Sequence, residues 1–295
     1  MAPSKKGSAK KVAKKASTLA YRPAVITFVD ILGFTERVMR SKTPDETRTI
    51  LRRLSRFAAQ PDEAEPDTAA VVFSDSIVRV RFIDGPYRMG ALFHEVLKLL
   101  QVQGEMLADD VLLRGGLTVG AIHVDGQMAF GPGFIRAYQL ESQFANYPRV
   151  VIGPEVFTAL RADRRLWARH HDLEDEVHYQ RKMLQRGDDG FWFIDYLHGF
   201  QDEMDAPELH PGLVAQHRAH IIKSANAASM DSRILQKYLW LAQYLNDVVR
   251  RLNLPELAIT QTDIPALEEL ADTPAWAVPY TGPTIGGHDF SDDEP

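Results

Sequence analysis

Runs and alternations of apolar residues divide this chain into elements before any side-chain chemistry is considered. Residues 24–30 (Ala-Val-Ile-Thr-Phe-Val-Asp) form a β-branched apolar run ending on an acid, the pattern of a buried strand. Ile31 to Phe34 then turns into a helix expected to reach about Ala59, with Leu51, Leu54 and Phe57 at helical spacing. A loop rich in Pro, Asp and Glu, residues 61–67, breaks it. Two strands, 69–73 and 77–82, flank a tight Ser74-Asp75-Ser76 hairpin. Residues 87–107 read as a helix with Leu92, Val96, Leu99 and Leu100 on one face, and 112–119 as a strand. A hairpin at Asp125-Gly126 leads to a helix opened by Gly131-Pro132-Gly133 and expected to reach Asn146. Residues 150–152 and 191–195 are short strands, with a charged, ambiguous stretch around 161–180 between them.

The order β-α-β-β-α-β predicts an α+β fold of ferredoxin-like (palm) type, an antiparallel sheet with helices on one face. From His210 to Leu254 the pattern changes to long helices, where Ile234, Tyr238, Leu241, Tyr244 and Leu245 form a stripe that needs a surface to cover. The expected organisation is a basic tail (1–20), a folded catalytic-type domain (21–200), a helical extension (201–258) and an acidic, mostly irregular tail (259–295).

Composition narrows the function classes. No cysteine is present, which excludes disulfides, zinc–thiolate sites and cysteine nucleophiles. No apolar run approaches the roughly 20 residues of a membrane span, and no secretion signal follows the N-terminal lysines, so the expected location is cytoplasmic, away from membrane. The net charge of −6 hides a polarity between the ends. Lys5, Lys6, Lys10, Lys11, Lys14 and Lys15 crowd the N-terminus; Asp289, Asp292, Asp293 and Glu294 crowd the C-terminus. Such blocks read as solvated tails, and the acidic body argues against nucleic acid as a partner.

The chemistry resides in two acids. In a palm sheet an aspartate ending the first strand, Asp30, and one in the next hairpin, Asp75, lie side by side. Two carboxylates there suit two divalent cations about 3.5–4 Å apart. The intervening turn offers backbone N–H groups to phosphate, and Gly33 lets that backbone approach an anion closely. His94-Glu95 lacks the second histidine of a zinc-protease helix, and His170-His171 reads as a solvated loop. Trp167, Trp192 and Trp240 read as core.

Three ordered motifs resemble a known family. Phe28-Val29-Asp30-Ile31-Leu32-Gly33-Phe34, Phe73-Ser74-Asp75-Ser76 and Leu113-Arg114-Gly115-Gly116-Leu117-Thr118-Val119-Gly120 resemble the metal motifs and following strand of class III nucleotidyl cyclases. The resemblance spans about residues 21–200. It implies that Asp30 and Asp75 hold two divalent cations (Mn²⁺ or Mg²⁺), that the Ile31 carbonyl adds a ligand, and that Arg114 contacts the triphosphate. It implies a homodimer with metals on one subunit and base contacts from the other. Gly33, Phe34, Thr35, Val71, Phe73 and Met128 are the expected substrate contacts.

The departures are equally informative. Val71 stands where purine cyclases carry a base-reading lysine, and Met128 falls near their second base reader. Ile135 and Gln139 replace an asparagine and arginine of the helix, with Arg136 and Tyr138 close by as substitutes. Together with Lys237-Tyr238-Leu239-Trp240-Leu241, the pattern resembles the pyrimidine cyclases of bacterial antiphage signalling (Pycsar). That subfamily makes cyclic UMP or cyclic CMP for a separate effector protein, and cyclic UMP, from UTP rather than CTP, is the expectation. A purine cyclase with unusual base contacts and a silent dimeric nucleotide sensor are the alternatives.

Overall fold

A computed structural model describes residues 20–57, 67–126, 128–228 and 232–270. Most of both charged tails and most of the 61–67 loop fall outside the described residues.

The fold is α+β. Strand β1 (Arg22–Ile31) is followed by helices α1 (Phe34–Arg40) and α2 (Pro44–Phe57), strands β2 (Thr68–Phe73) and β3 (Ser76–Phe82), helix α3 (Ala91–Leu107) and the long strand β4 (Leu113–Asp125). These strands lie in the order β2-β3-β1-β4, all antiparallel, as the palm pattern requires. Strand β5 (Met128–Phe130) folds back on the end of β4. Helix α4 (Pro132–Gln139) runs into a π-helical turn, Leu140–Phe144. Strand β6 (Val150–Ile152), helices α5 (Pro154–Ala162) and α6 (Leu173–Met183), strands β7 (Leu184–Arg186) and β8 (Trp192–Ile194), and the short helix α7 (Tyr196–Gly199) follow. The extension is the helix pair α8 (His210–Ala227) and α9 (Arg233–Arg251).

The first helix breaks where one continuous helix is expected. Glu46 accepts from the backbone N–H groups of Lys42 and Thr43 (2.8 and 2.9 Å), and Thr43 Oγ1 accepts from Glu46 N–H (3.3 Å). That reciprocal cap, with Pro44 at the first helical position, starts a second helix. The sequence Thr43-Pro44-Asp45-Glu46 carries the signal.

Two features go beyond the expected layering. Strand β6 joins β4 in parallel, so the sheet is mixed, and β8 and β7 extend it beyond β6. The helices also occupy both faces. The main core holds Val25, Val29, Ile77, Leu113 and Leu117 against α3, α5, α8 and α9. The alternate residues Ala24, Ile26 and Phe28 face the other way and pack with Ala137 and Phe134 of α4. Helix α4 lies directly on β4 because glycines line the contact. A Cβ at Gly116 would meet Leu140 Cβ at 2.3 Å, and one at Gly120 would meet Gly133 Cα at 2.8 Å.

Several expectations about packing need correction. His171 is buried, its Nδ1 2.9 Å from Glu176 Oε2, rather than solvated. Ile234 is exposed, so the covered face of α9 is set by Leu235, Leu239, Ala242 and Leu245. The tail expected from residue 259 is packed at its start: Ile259, Ile264 and Ala266 are buried in the main core. Of the tryptophans, Trp192 is buried, while Trp167 and Trp240 are half-buried at the core's edge. Among the described residues no helix is long and apolar enough to cross a membrane.

Beneath β1 and β3 lies a buried charge cluster. Glu95 of α3 accepts from Thr27 Oγ1 (3.0 Å), Arg79 Nε (2.9 Å) and Arg81 Nε (3.4 Å). Burial pushes the Glu95 carboxyl up, but the two guanidiniums more than offset this and hold it below its ordinary value of 4.5. A depressed carboxylate contributes stability above its unfolded pKa and loses it as pH falls through the folded value. Glu95→Gln is therefore expected to cost about 3 kcal/mol at pH 7, by leaving two buried guanidiniums short of a countercharge. Denaturant midpoints check this, and the deficit should shrink in acid.

Candidate active site

Cross-strand register assembles the site. Residues directly opposite in a sheet point to the same face. Phe73, Ser76, Asp30 and Arg114 form one such row across β2, β3, β1 and β4, on the face that carries α4. The neighbouring row is Val71, Val78, Phe28 and Gly116. Asp75 sits in the two-residue β2–β3 turn, where Ser74 adopts a left-handed conformation (φ 57°). The Asp75 carbonyl accepts from Ile31 N–H (3.2 Å), which ties the turn to the end of β1.

Charge is concentrated here. Arg114 Nε donates to Asp30 Oδ2 (3.1 Å), and Arg114 Nη2 pairs with Glu141 Oε1 (2.8 Å). Glu141 is buried in the π-helical turn. Burial raises the Asp30 carboxyl above its ordinary value of 3.8; Arg114 opposes this and the nearby Asp75 adds to it. Burial likewise raises Glu141, against the pull of Arg114. Lys237 of α9 lies close enough for its charge to act on Glu141.

Each expected site residue now has a place. Asp30, Ile31, Asp75 and Arg114 come together. Gly33 is exposed in the turn before α1 with φ 71°, a conformation that glycine adopts without strain. Phe34 packs towards the main core, so only its backbone faces the turn, and Thr35 is exposed on α1. Phe73 is 49% exposed in the same row, with Ser76 between it and Asp30. Val71, expected as a substrate contact, is instead buried in the core cluster with Phe28 and Val78. Met128, also expected there, sits opposite Asp125 at the far end of β4. At about 3.3 Å per residue that is roughly 35 Å from Arg114, so a single protomer does not bring it to the acids. Arg136 is engaged with Glu155 (2.9 Å), and Tyr138 lies on the exposed side of α4, 5.4 Å from the Phe28 ring.

Glu141 and Lys237 have no site role in the sequence analysis. Their spacing from Asp30 carries no local signal, because tertiary packing alone brings them there.

The donor set suits a hard divalent cation. Asp30 and Asp75 supply carboxylate oxygens and the Ile31 carbonyl is adjacent, an all-oxygen set of the kind Mg²⁺ and Mn²⁺ take. Among the described residues no group of three or more His, Asp or Glu side chains is placed to hold a metal. The fit therefore rests on the carboxylate pair, the main chain and other oxygens, such as those of a phosphate. Burial, with Asp75 beside it, raises the Asp30 carboxyl in spite of Arg114, so an added cation would be favoured there.

No family model and no curated protein matches the chain. Among solved structures it is similar to the adenylyl cyclase CyaB from P. aeruginosa, with 15% identity and a TM-score of 0.39, over 48% of this chain and 82% of that one. It is also similar to the dimeric guanylyl cyclase domain of the RhoGC fusion protein from the aquatic fungus Blastocladiella emersonii. There the identity is 16% and the TM-score 0.41, over 59% of this chain and 94% of that one. The guanylate cyclase domain of RhGC from Catenaria anguillulae, in complex with GTP, gives 18% and 0.39, over 49% and 85%. Likenesses at this level do not establish a family.

A raised carboxyl contributes stability below its unfolded pKa and loses it as pH rises through the folded value. At pH 7 without divalent metal, the Asp30 charge is therefore a burden. Asp30→Asn should melt no lower than the wild type in EDTA, while losing most of the rise in Tm that Mn²⁺ gives the wild type. A thermal-shift titration checks both, and a variant that keeps the Mn²⁺ response contradicts the assignment.

Proposed function

We propose that the chain is a nucleotidyl cyclase acting on a pyrimidine nucleoside triphosphate, UTP before CTP. The observation that carries the reading is the single row holding Asp30 and Arg114, with Asp75 tied to the end of β1 beside it. Two carboxylates next to a guanidinium, partly buried beside α4, match the demands of phosphoryl chemistry: cations for the triphosphate, and a fixed positive charge for a phosphate oxygen.

In the reaction the nucleotide's 3′-oxygen bonds to its own α-phosphorus. The bond from that phosphorus to the oxygen bridging to the β-phosphate breaks. The hydroxyl proton passes to solvent water, and the products are the 3′,5′-cyclic monophosphate and pyrophosphate. Divalent cations held by Asp30, Asp75 and the Ile31 carbonyl would lower the pKa of the 3′-hydroxyl and neutralise the triphosphate. Glu141 anchors one edge of Arg114, so with Asp30 turned to a cation the other edge of the guanidinium would be left for a phosphate oxygen. Gly33 keeps the following turn free of side chain on the phosphate side.

Pyrimidine choice rests on what the pocket lacks. Val71 places a buried apolar side chain where a purine reader would need a hydrogen-bond donor, and such donors discriminate far better than apolar contact. Exposed Phe73 adds bulk next to the acids. The sequence resemblance to Pycsar enzymes supports a product that serves as a messenger in antiphage defence, read by a separate effector.

A second copy of the chain completes the site in this reading. Val72, Phe73, Met128, Phe130, Ile135 and Tyr138 are all more than a third exposed. Phe73, Ile135 and Tyr138 lie on the face that carries α4, with Met128 and Phe130 farther off on β5, and exposed large apolar side chains mark interfaces. Two-fold pairing would bring Met128 of one protomer towards the acids of the other.

The deciding experiment supplies each of the four nucleoside triphosphates with Mn²⁺ and identifies any cyclic product. UTP or CTP should exceed ATP and GTP at least about tenfold in kcat/KM, with UTP first. Asp75→Ala should fall about a thousandfold or more while melting normally. Ile135→Glu should sediment as an inactive monomer. Preference for ATP or GTP contradicts the pyrimidine reading, an active monomer contradicts the shared site, and absence of any product leaves the silent sensor.

A further inference from the structure

The helical extension touches the site through a cleft. About 430 Å³ in volume, it lies between α1 and the α8–α9 pair. Leu32 and Gly33, the residues that follow Asp30 and Ile31, line one side; His220, Lys237 and Tyr238 line the other.

The cations around this cleft are not equivalent. Arg37 donates through Nη2 to the Asp110 carbonyl (2.5 Å), and Arg40 pairs with Glu36 (2.6 Å). Lys237 is half-buried, and among the described residues no carboxylate lies within ion-pair distance of its amine. The nearby acids Asp30 and Glu141 are already taken by Arg114. Burial, with the like charge of Arg114, pushes the amine below its ordinary value of 10.5. A partly desolvated ammonium with no partner is unfavourable unless an anion completes it.

The backbone beneath that amine is firmly held. Trp240, one turn on, stacks on Tyr147 (centroids 5.2 Å apart, planes within 7°). Tyr244 accepts from Leu197 N–H (2.9 Å) and donates to Asp195 (2.8 Å). Leu239 and Leu241, on either side of Trp240, are fully buried. Lys237 is thus presented to the cleft by a rigid helix.

We infer that Lys237 is a phosphate-binding residue, so that the appended helix α9 supplies part of the nucleotide site of its own protomer. The inference rests on the cyclase reading for its ligand: the terminal phosphates of a nucleotide whose α-phosphate lies at Asp30 and Asp75 extend past Gly33 into this cleft. An ammonium is a compact point charge that suits phosphate oxygens without demanding a fixed fork geometry. The extension then couples substrate binding to the docking of α8 and α9.

The test uses the full chain and preformed Mn²⁺–tripolyphosphate, an inorganic probe without a base, in isothermal titration. Lys237→Met should bind it at least about tenfold more weakly than the wild type, and Lys237→Arg should restore most of the affinity. Without ligand, Lys237→Met should melt no lower than the wild type, since it removes an unpartnered charge; a purely structural lysine would give a drop. Inhibition of turnover by pyrophosphate should weaken by the same factor as binding. Equal affinity in wild type and Lys237→Met, or no binding by the wild type, overturns the inference. Cyclic product from a Lys237→Met enzyme with undiminished phosphate affinity would sink the lysine alone. Lysine-dependent binding in a protein that cyclises no nucleotide would keep Lys237 as a phosphate residue and discard the cyclase.

Discussion

Arg114 is pinned between two carboxylates, Asp30 across the β1–β4 register and Glu141 from the turn after α4, with a third, Asp75, at the adjoining hairpin. The rest of the site depends on that crowding. One guanidinium cannot satisfy three partly buried acids, and burial raises both Asp30 and Glu141 in spite of it. Such a cluster persists in a folded protein only where the fold over-determines it, and it favours whatever brings further positive charge. In the proposed function divalent cations would do so, and they would leave Arg114 for a phosphate.

The scaffold fixes this conflict through strand register and close packing. Asp30 faces Arg114 because β1 and β4 pair over their whole shared length. Glu141 reaches the same guanidinium because α4 lies on bare glycine backbone, and the π-helical turn carries its side chain back to the sheet. On the opposite face the buried Glu95 cluster and the main core hold β1 and β3 from behind. One face of the sheet thus carries the main core and the other carries the crowded charges of Asp30, Arg114 and Glu141.

Much of this was legible in the residues. The β-branched run ending on Asp30, the Ser74-Asp75 hairpin and Arg114 on the fourth strand predict the palm order and bring the two acids and the arginine to one place. Local pattern does not reveal which partners arrive from a distance. Glu141 sits in a helical segment with no sign that its turn would meet β4, and Lys237 enters only as part of the Lys237-Tyr238-Leu239-Trp240-Leu241 resemblance, with no role of its own. Val71 shows the opposite limit: its position in the motif points at a ligand, while its row in the sheet buries it beside Val78 in the cluster that also holds Phe28. The split of the first helix had a written signal, Thr43-Pro44-Asp45-Glu46, which apolar periodicity alone passes over.

The central claim is that Asp30 and Asp75 hold divalent cations together with a nucleotide's phosphates. Equilibrium dialysis of Mn²⁺ against the full chain, with a non-hydrolysable UTP analogue present, tests it most directly. The account predicts two Mn²⁺ per protomer for the wild type, and loss of both from Asp30→Ala and from Asp75→Ala chains that retain normal melting. Undiminished Mn²⁺ binding in either variant would contradict it.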